Sequence, residues 1–305
     1  MSGAAFDLTF PATSANLGPC FDAAALALDF GLRVRAERAA AFAIAATGRD
    51  AAICGGLEKH LILEVYRETL AGAGVGAAPA LALRLENQIP IGRGCGSSAA
   101  ARLAGVALAA HFGELGWSAQ RVFEAAARLE GHPDNAAACW WGGVVVSAPG
   151  EEGIRWLQAP VAPNIGWAVA VAAQPLATEE ARAVLPAQYP RAAAVRNLQN
   201  ALLLIAALRE GRGDLLADAL ADWWHQPYRA RLCPLLPALQ GLAGRNGIWG
   251  CALSGAGPSV LLALDASAAR PAIATAVEDA LRRAGLQAEL IFSALRARGA
   301  GMEWR

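Results

Sequence analysis

Alternating hydrophobic and polar residues mark several short segments of this chain, a pattern typical of strands buried on one face. Residues 5–10 alternate and end at Pro11, and residues 81–85 repeat the same period. The segment 251–264 predicts a strand interrupted by the turn 255–258, whose sequence is Gly-Ala-Gly-Pro. Apolar or β-branched runs predict further strands at 142–147, 167–172 and 288–292.

Longer segments have the spacing of helices. The uncharged character of most of 97–112 predicts a helix that is buried on most of its sides. Ser118 is placed to cap the N-terminus of a second helix, over residues 118–129. Further helices are predicted at 178–184, 195–209 and 269–284.

Loops and a domain boundary interrupt these elements. Residues 12–20 and 87–96 are polar and contain glycine, so each segment predicts a loop. The residues APGEEG at 148–153 also break the pattern, and they predict a boundary that divides the chain into 1–152 and 153–305. Strands and helices occur on both sides of this boundary, which favours an α+β or α/β fold.

Composition limits the class of protein. Hydrophobic residues make up 55% of the chain and charged residues 17%, which provides enough apolar surface for a folded core. The 26 basic and 26 acidic residues cancel, so no bulk charge attracts nucleic acid or an anionic membrane. No apolar run reaches the roughly 18 residues of a membrane-spanning helix, and no signal peptide is expected. The six scattered cysteines predict buried free thiols in a reducing cytoplasm.

A segment rich in glycine and serine carries the most specific chemical pattern. Gly92, Gly94 and Gly96 stand at alternate positions, so the backbone can turn tightly and direct several N–H groups into one concavity. Ser97 and Ser98 then open the predicted helix, whose N-terminus attracts anions. The pattern predicts a polyphosphate site, where the Ser98 hydroxyl can reach a divalent cation. A serine-capped turn before a core helix is the alternative interpretation.

Other familiar motifs do not fit this segment. A dinucleotide GxGxxG that starts at Gly92 would need glycine at position 97, which is Ser97. A Walker loop needs lysine before its serine or threonine, and Lys59, the only lysine, lies in another segment. The GxSxG pattern of a nucleophile elbow does not surround Ser97, Ser98 or Ser254.

Three segments resemble the motifs of the GHMP kinases. Residues 90–100 read PIGRGCGSSAA and resemble the ATP loop of that family, PxGxGLGSSAA. Residues 11–22 read PATSANLGPCFD and resemble its first motif, in the form PASSANLGPGFD. Residues 254–259 read SGAGPS and resemble its third motif. The resemblance is specific because the motifs keep their order and span most of the chain.

Three more segments resemble the homoserine kinase branch of this family. They read EGHPDN at 130–135, TEEARAVLP at 178–186 and HQPYR at 225–229. The resemblance implies a cytoplasmic homodimer of threonine biosynthesis that uses ATP and Mg²⁺ to phosphorylate the side-chain hydroxyl of L-homoserine. The implied fold is α+β, with an N-terminal domain like domain 2 of ribosomal protein S5 and a ferredoxin-like C-terminal domain. ATP would bind between the two domains.

The resemblance also implies roles for individual residues. Ser98 and Glu130 would bind Mg²⁺, and Asn16 would orient the attacking hydroxyl without removing its proton. Thr178 and Arg182 would act as catalytic residues beside the transferred group. The residues that would bind ATP are Pro90, Ile91, Gly92, Arg93, Gly94, Cys95, Gly96, Ser97, Ser98, Ala99, Ala100, Gly255 and Gly257. The residues that would bind the acceptor are Asn16, Asp22, His132, Asp134, Arg182 and Arg229.

The chemistry of these side chains suits an amino-acid acceptor. Arg182 and Arg229 can form bidentate contacts with a carboxylate, whereas Asp22 and Asp134 can face an ammonium group. We expect His225 to hold the segment that positions Arg229.

The sequence leaves two alternatives open. The chain could be a GHMP kinase for another hydroxy compound, or an ATP-binding regulator without turnover. Cys20 and the residues Ala23-Ala24-Ala25 replace the glycine and the TLG of the family motif. If position 20 required a positive φ angle, cysteine there would cost about 1 kcal/mol or more. The presence of a general base is also left open.

Overall fold

The computed structural model describes residues 5–304 and arranges their strands in two sheets. The first sheet contains β1 Phe6–Ala15, β2 Ala24–Arg38, β3 Ala43–Gly48, β4 Leu81–Asn87, β5 Val144–Gly150 and β6 Gly153–Ala159. The second contains β7 Ile165–Ala172, β8 Ile248–Leu253, β9 Val260–Asp265 and β10 Ala288–Ser293.

Helices connect and cover these sheets. They are α1 Ala51–Cys54, α2 Leu61–Gly72, α3 Ser97–Phe112, α4 Ala119–Glu130, α5 Asp134–Trp141, α6 Thr178–Ala183, α7 Arg191–Glu210, α8 Leu216–Ala219, α9 Gln226–Arg229, α10 Leu235–Gln240 and α11 Arg270–Ala284. Short 3₁₀ turns occupy Gly213–Leu215 and Ala300–Glu303. Between residues 5 and 304, no helix combines the length and the apolar character needed to cross a membrane.

The long strand β2 organises the first sheet. It pairs with β1, with β4 and with β5, and all three partners are antiparallel to it. The prediction that the first strand ends at Pro11 was wrong, because β1 continues to Ala15. The register shifts between Pro11 and Thr13, and such an irregularity accommodates a residue without an N–H group. The extended strand therefore contains residues 11–15 of the first motif, and the rest of the motif follows directly at the end of the strand.

The second sheet has the strand order β10-β7-β9-β8, and every neighbouring pair is antiparallel. Along the chain, helices follow β7, the β8–β9 pair comes next, and α11 leads to β10. This β-α-β-β-α-β succession is the ferredoxin-like arrangement. The α+β class and the ferredoxin-like C-terminal domain are therefore confirmed.

The predicted boundary at 152/153 lies inside a hairpin of the first sheet. Strands β5 and β6 pair from Val144 with Ala159 to Gly150 with Gly153. The acidic and glycine residues of this segment thus form a tight turn rather than a linker between domains. By sheet membership, we propose that the domains divide between Ala159 and Ile165.

The helix that follows the glycine loop is the centre of the core. Eleven of the sixteen residues of α3 are buried, which confirms the prediction of a helix covered on most of its sides. It packs against α2, α4, α5 and β1. The same hydrophobic core continues into the second half of the chain through Trp167 and Leu208. The glycine loop is therefore attached to a helix that is fixed in the core.

Candidate active site

The glycine loop adopts the conformation that its sequence predicts. Gly92, Gly94 and Gly96 have positive φ angles of 69°, 77° and 71°. A Cβ atom on Gly94 would lie 2.2 Å from the carbonyl oxygen of Ser254, and one on Gly96 would lie 1.9 Å from Thr13 Oγ1. Larger residues are thus excluded by both the backbone and its neighbours. The close approach brings all three sequence motifs to the start of α3.

Hydrogen bonds join the first and third motifs across the domains. The Asn16 side-chain amide donates to the Gly255 carbonyl at 2.7 Å, and the Gly255 N–H donates to the Ala15 carbonyl at 3.1 Å. Asn16 Oδ1 accepts from the backbone N–H of Asp22 at 2.9 Å. Asn16 and Asp22 have positive φ angles of 70° and 55°, a conformation that Asn and Asp tolerate better than most residues. Cys20 is not among the positive-φ residues, so the expected strain at that position does not arise.

A cavity of about 260 Å³ lies where these segments meet. The predicted site residues that line it are Asn16, Asp22, Gly92, Gly94, Gly96, Ser97, Ser98, Ala99, Glu130, His132, Asp134, Thr178, Arg182, Arg229, Gly255 and Gly257. Five predicted loop residues are absent from its lining: Pro90, Ile91, Arg93, Cys95 and Ala100. Of these, Cys95 and Ala100 are buried beneath the loop, where they support its backbone.

One end of the cavity has two arginines and an aspartate. Arg182 binds Asp22 through two hydrogen bonds, of 3.1 and 2.6 Å. Arg229 is only 1% exposed, and its Nε donates to the Ala181 carbonyl at 2.9 Å. Burial and the neighbouring charge of Arg182 lower the pKa of Arg229 to about 10, so it is still cationic at neutral pH. Both guanidinium groups lie 5.3 Å from the centre of the Phe21 ring.

His225 is the support beneath Arg229. Its Nε2–H donates to the Gly18 carbonyl at 2.8 Å, and its Nδ1 accepts from Arg229 Nη1 at 3.1 Å. Only a neutral imidazole can donate and accept in this way. Burial, opposed by the charge of Asp222, lowers the pKa of His225 to about 4, which agrees with that neutral form. The expected role of His225 in positioning Arg229 is confirmed.

Beside these arginines, His132 and Asp134 form a hydrogen-bonded pair. His132 Nδ1 lies 2.8 Å from Asp134 Oδ1, and the same oxygen accepts from the N–H of Asn135 at 2.7 Å. Burial acts to lower the pKa of His132, but the hydrogen bond and charge of Asp134, aided by Asp22, raise it overall. Ligand atoms of Asp22, His132 and Asp134 all lie within 4.8 Å of one another. This acidic corner shares Asp22 with the arginine end of the cavity.

The predicted metal ligands lie together at the phosphate end. One guanidinium nitrogen of Arg102, Nη1, donates to both Ser98 Oγ and Glu130 Oε1, the latter at 2.5 Å. A cation therefore already sits between the two oxygens, and hydroxyl and carboxylate oxygens are donors that Mg²⁺ prefers. The residues fit a magnesium site. Arg102 was missed in the sequence, although its position four residues after Ser98 on a helix places the two on one face.

Asn135 was also missed in the sequence. It follows the aspartate of the EGHPDN segment, lines the cavity, and accepts a hydrogen bond of 2.6 Å from Thr13 Oγ1. A Cβ atom on Gly96 would lie 3.3 Å from Asn135 Oδ1, so Asn135 lies between the phosphate loop and the acidic corner.

A second cavity, of about 410 Å³, opens on the other side of the loop. It shares Gly92, Ser97 and Ser98 with the first cavity, so the two meet across the N-terminus of α3. Its other walls are mostly apolar and include Ile53, Leu61, Leu85, Ile89 and Ile91, together with the polar side chains of Asn87, Lys59 and His60. An apolar slot beside an anion site is suited to a flat ring attached to phosphates.

Comparisons with known proteins agree with this geometry. Residues 60–143 match the GHMP kinases N terminal domain, and residues 204–285 match the GHMP kinases C terminal family. The chain is 42% identical to a homoserine kinase of Solibacter usitatus over 295 residues, which cover 96% of each chain. It is 36% identical to a homoserine kinase of Deinococcus radiodurans over 300 residues, which cover 98% of this chain and 97% of that one.

Solved structures show the same fold. The crystal structure of homoserine kinase from Cytophaga hutchinsonii superposes with a TM-score of 0.81 at 24% identity, covering 97% of this chain and 96% of that one. A mevalonate kinase from L. major, solved with R-mevalonate, gives a TM-score of 0.70 at 13% identity, covering 96% and 97% of the two chains.

The buried neutral His225 predicts a loss of stability in acid. Its pKa of about 4 lies below the ordinary value of 6.5, so the unfolded chain takes up a proton first as the pH falls. We expect the free energy of unfolding to decrease from pH 6.5 down to about pH 4, with a slope of up to roughly 1.4 kcal/mol per pH unit from this group. Urea unfolding of wild type and His225→Asn across this range measures the slope, which should be shallower in the variant.

His132→Asn is the matched control. The pKa of His132 is raised, so its contribution is complete below pH 6.5 and is lost as the pH rises. Removing His132 should therefore leave the acid-side slope at least as steep as in wild type. Equal slopes in wild type and His225→Asn would contradict the neutral, buried state of His225.

Proposed function

Because this chain belongs to the homoserine kinase family of the GHMP kinases, we propose that it transfers the γ-phosphoryl group of ATP to the side-chain hydroxyl of L-homoserine. It is an ATP-dependent phosphotransferase that acts on an alcohol group and serves threonine biosynthesis. The observation that supports the proposal best is a single cavity with a glycine phosphate loop at one end and paired arginine and aspartate side chains at the other.

ATP binding is assigned to the loop and the second cavity. Backbone N–H groups around Gly92, Gly94 and Gly96 would hold the phosphates, aided by the positive end of the sixteen-residue helix α3. The adenine ring would lie in the apolar cavity, since Ser97 and Ser98 line both spaces. In this arrangement the γ-phosphoryl group points toward the acidic corner.

The acceptor is assigned to the arginine end of the cavity. Arg182 and Arg229 would bind the carboxylate, and the buried support from His225 keeps Arg229 in place. Asp22 would then exchange its bond to Arg182 for one to the ammonium group. Asn16 has used one N–H and one lone pair on Gly255 and Asp22, so one of each is left to orient the hydroxyl.

The reaction itself depends on positioning and charge, because phosphoryl transfer passes through a loose transition state. Ser98 and Glu130 would hold Mg²⁺, which neutralises charge on the phosphates when it is bound. Thr178, at the start of α6, lines the cavity beside the transferred group. In this scheme Asp22 pairs with the ammonium, and the proton of the hydroxyl passes to the phosphoryl group.

The homodimer and the cytoplasmic location are also proposals. The location follows from the use of ATP. For self-association, helix α7 presents Val195, Leu198 and Leu202, which are 50%, 58% and 66% exposed. These positions recur at helical spacing, and an exposed apolar stripe of this kind is typical of a protein interface.

The first test is the choice of acceptor. We expect Mg²⁺-dependent ADP release with L-homoserine and little with L-threonine, L-serine, mevalonate or no acceptor. Mevalonate has a carboxylate but no ammonium group, so it would leave Asp22 without a partner. A coupled assay of ADP release measures all five reactions. Folded protein that binds ATP yet is inactive with homoserine would redirect the search to other hydroxy compounds, and inactivity with every acceptor would favour the regulator.

The second test is Glu130→Gln, which removes a negative oxygen from the proposed metal site at nearly constant size. Turnover should fall by about a hundredfold or more, because an amide ligates Mg²⁺ much more weakly than a carboxylate. Glu124→Gln is the matched control, since Glu124 is on the same helix with a side chain 12% exposed against 10% for Glu130. The control should stay near wild-type activity, and a fully active, folded Glu130→Gln protein would remove Glu130 from the metal site.

The third test concerns self-association. Light scattering should give twice the mass of the chain for wild type and the mass of one chain for Leu198→Glu, because a carboxylate cannot be buried unpaired in an apolar interface. Leu157→Glu, at the most exposed leucine, on strand β6, is the control and should stay dimeric. A wild-type monomer at assay concentrations would refute the homodimer.

A further inference from the structure

Arg102 occupies the position that a divalent cation would take. Its Nη1 donates to Ser98 Oγ and to Glu130 Oε1 at the same time. A Mg²⁺ ion bound by both oxygens would lie about 2.1 Å from each, in the space that this nitrogen fills. The guanidinium group and the metal therefore exclude each other, both by volume and by like charge.

The setting of Glu130 explains why a cation is needed there before any ligand arrives. Glu130 is the last residue of α4, where the partial negative charge of the helix end disfavours a carboxylate. Its side chain is only 10% exposed, so water solvates it poorly. Arg102 supplies the missing positive charge from the facing helix α3.

The Arg102 guanidinium group can also reach a second position within the cavity. It lines the cavity with the glycine loop, its side chain is 26% exposed, and four rotatable bonds connect the guanidinium to α3. A guanidinium released from Glu130 into this cavity would meet the space assigned to the phosphates, whose oxygens match its fork of donors. Nothing has to unfold for this exchange.

We propose that Arg102 is an internal counter-ion that holds the metal position in the nucleotide-free enzyme and moves onto the phosphates when the divalent cation enters with ATP. The inference rests on the proposed metal site of Ser98 and Glu130. It adds a phosphate-binding residue to the loop and makes metal binding dependent on nucleotide. The metal and ATP then favour each other's binding. The metal displaces Arg102 from Glu130 and so frees it for the phosphates, and the phosphates hold Arg102 away from the metal position.

The experiment measures Mn²⁺ binding to the nucleotide-free protein by electron paramagnetic resonance. Arg102→Leu keeps the apolar stem and removes the competing charge, so Mn²⁺ should bind roughly tenfold or more tightly than to wild type. Arg128→Leu is the matched control, because Arg128 lies two residues from Glu130 but pairs with Glu124 outside the cavity. It should leave Mn²⁺ affinity unchanged, and an equal gain in both variants would mean a general charge effect and overturn the proposal.

A second measurement tests the move onto the phosphates. In the Glu130→Gln background, where no carboxylate holds Arg102 and the metal is not needed to release it, calorimetry with ATP in excess EDTA should show weaker binding when Arg102→Leu is added, by roughly tenfold for one lost charge-assisted contact. Arg102→Lys keeps the charge without the fork, so both affinities should lie between wild type and Arg102→Leu. Unchanged ATP affinity on adding Arg102→Leu in that background would mean that Arg102 does not bind the phosphates, and it would overturn the exchange.

Two further arms separate this inference from the proposed function. Thermal unfolding confirms that each variant is folded, and the double variant Arg102→Leu with Glu130→Gln should lose the gain in Mn²⁺ affinity. If the gain persists, the metal binds elsewhere and the proposed metal site fails. If Glu130→Gln abolishes Mg²⁺-dependent turnover while Arg102→Leu changes neither affinity, the metal site stands and only the role of Arg102 is overturned.

Discussion

The pairing of opposite charges inside a narrow cleft is the constraint on which the site depends. A partly buried charge is costly unless a counter-ion or hydrogen bonds replace the lost water. At the acceptor end Arg182 is bound to Asp22, and at the phosphate end Arg102 is bound to Glu130. These residues thus satisfy each other's charges, and in the proposed function the substrates would separate them. Binding of each substrate would then replace an ion pair within the protein by ion pairs between the protein and its ligands.

In the proposed function, this exchange would give the cleft selectivity for its ligands. A zwitterion would offer a carboxylate to Arg182 and an ammonium to Asp22, which bind each other in its absence, so both would find new partners. A ligand with only one of these charges would leave the other half of this partly exposed pair without its partner. Recognition therefore depends on the cost of the wrong ligand as much as on contacts with the right one.

Local patterns predicted the parts of the fold that depend on neighbouring residues. The helix at 97–112, the Ser118 cap and the interrupted strand at 251–264 all follow from periodicity, capping and turn chemistry, and the structure has each of them. The continuation of β1 past Pro11 was missed, since its pairing with β2 after the register shift does not follow from the hydrophobic pattern. The break in the pattern at 148–153 predicted a domain boundary, and the structure has the turn of the β5–β6 hairpin there.

In the site, too, the sequence predicted the residues that belong to local motifs and missed those whose role depends on contacts between separate segments. Family motifs named most of the residues that line the cavity, but a motif contains only side chains that relatives share. Arg102 stands outside them, and its role follows from a contact with Glu130, 28 residues away, that the packing of α3 on α4 creates. Asn135 needed the structure as well, because its neighbour Thr13 comes from the other end of the domain.

Hydrogen bonds also fix the loops of the first and third motifs relative to the glycine loop. Asn16, directly after β1, is tied to Gly255 and Asp22, and Gly94, shortly before α3, is tied to Ser254. Positive φ angles at Asn16 and Asp22 persist because these bonds hold the backbone there. A loose transition state gains little from covalent help and much from alignment. In the proposed function, a frame that joins the acceptor and phosphate sites through backbone contacts would therefore contribute to catalysis.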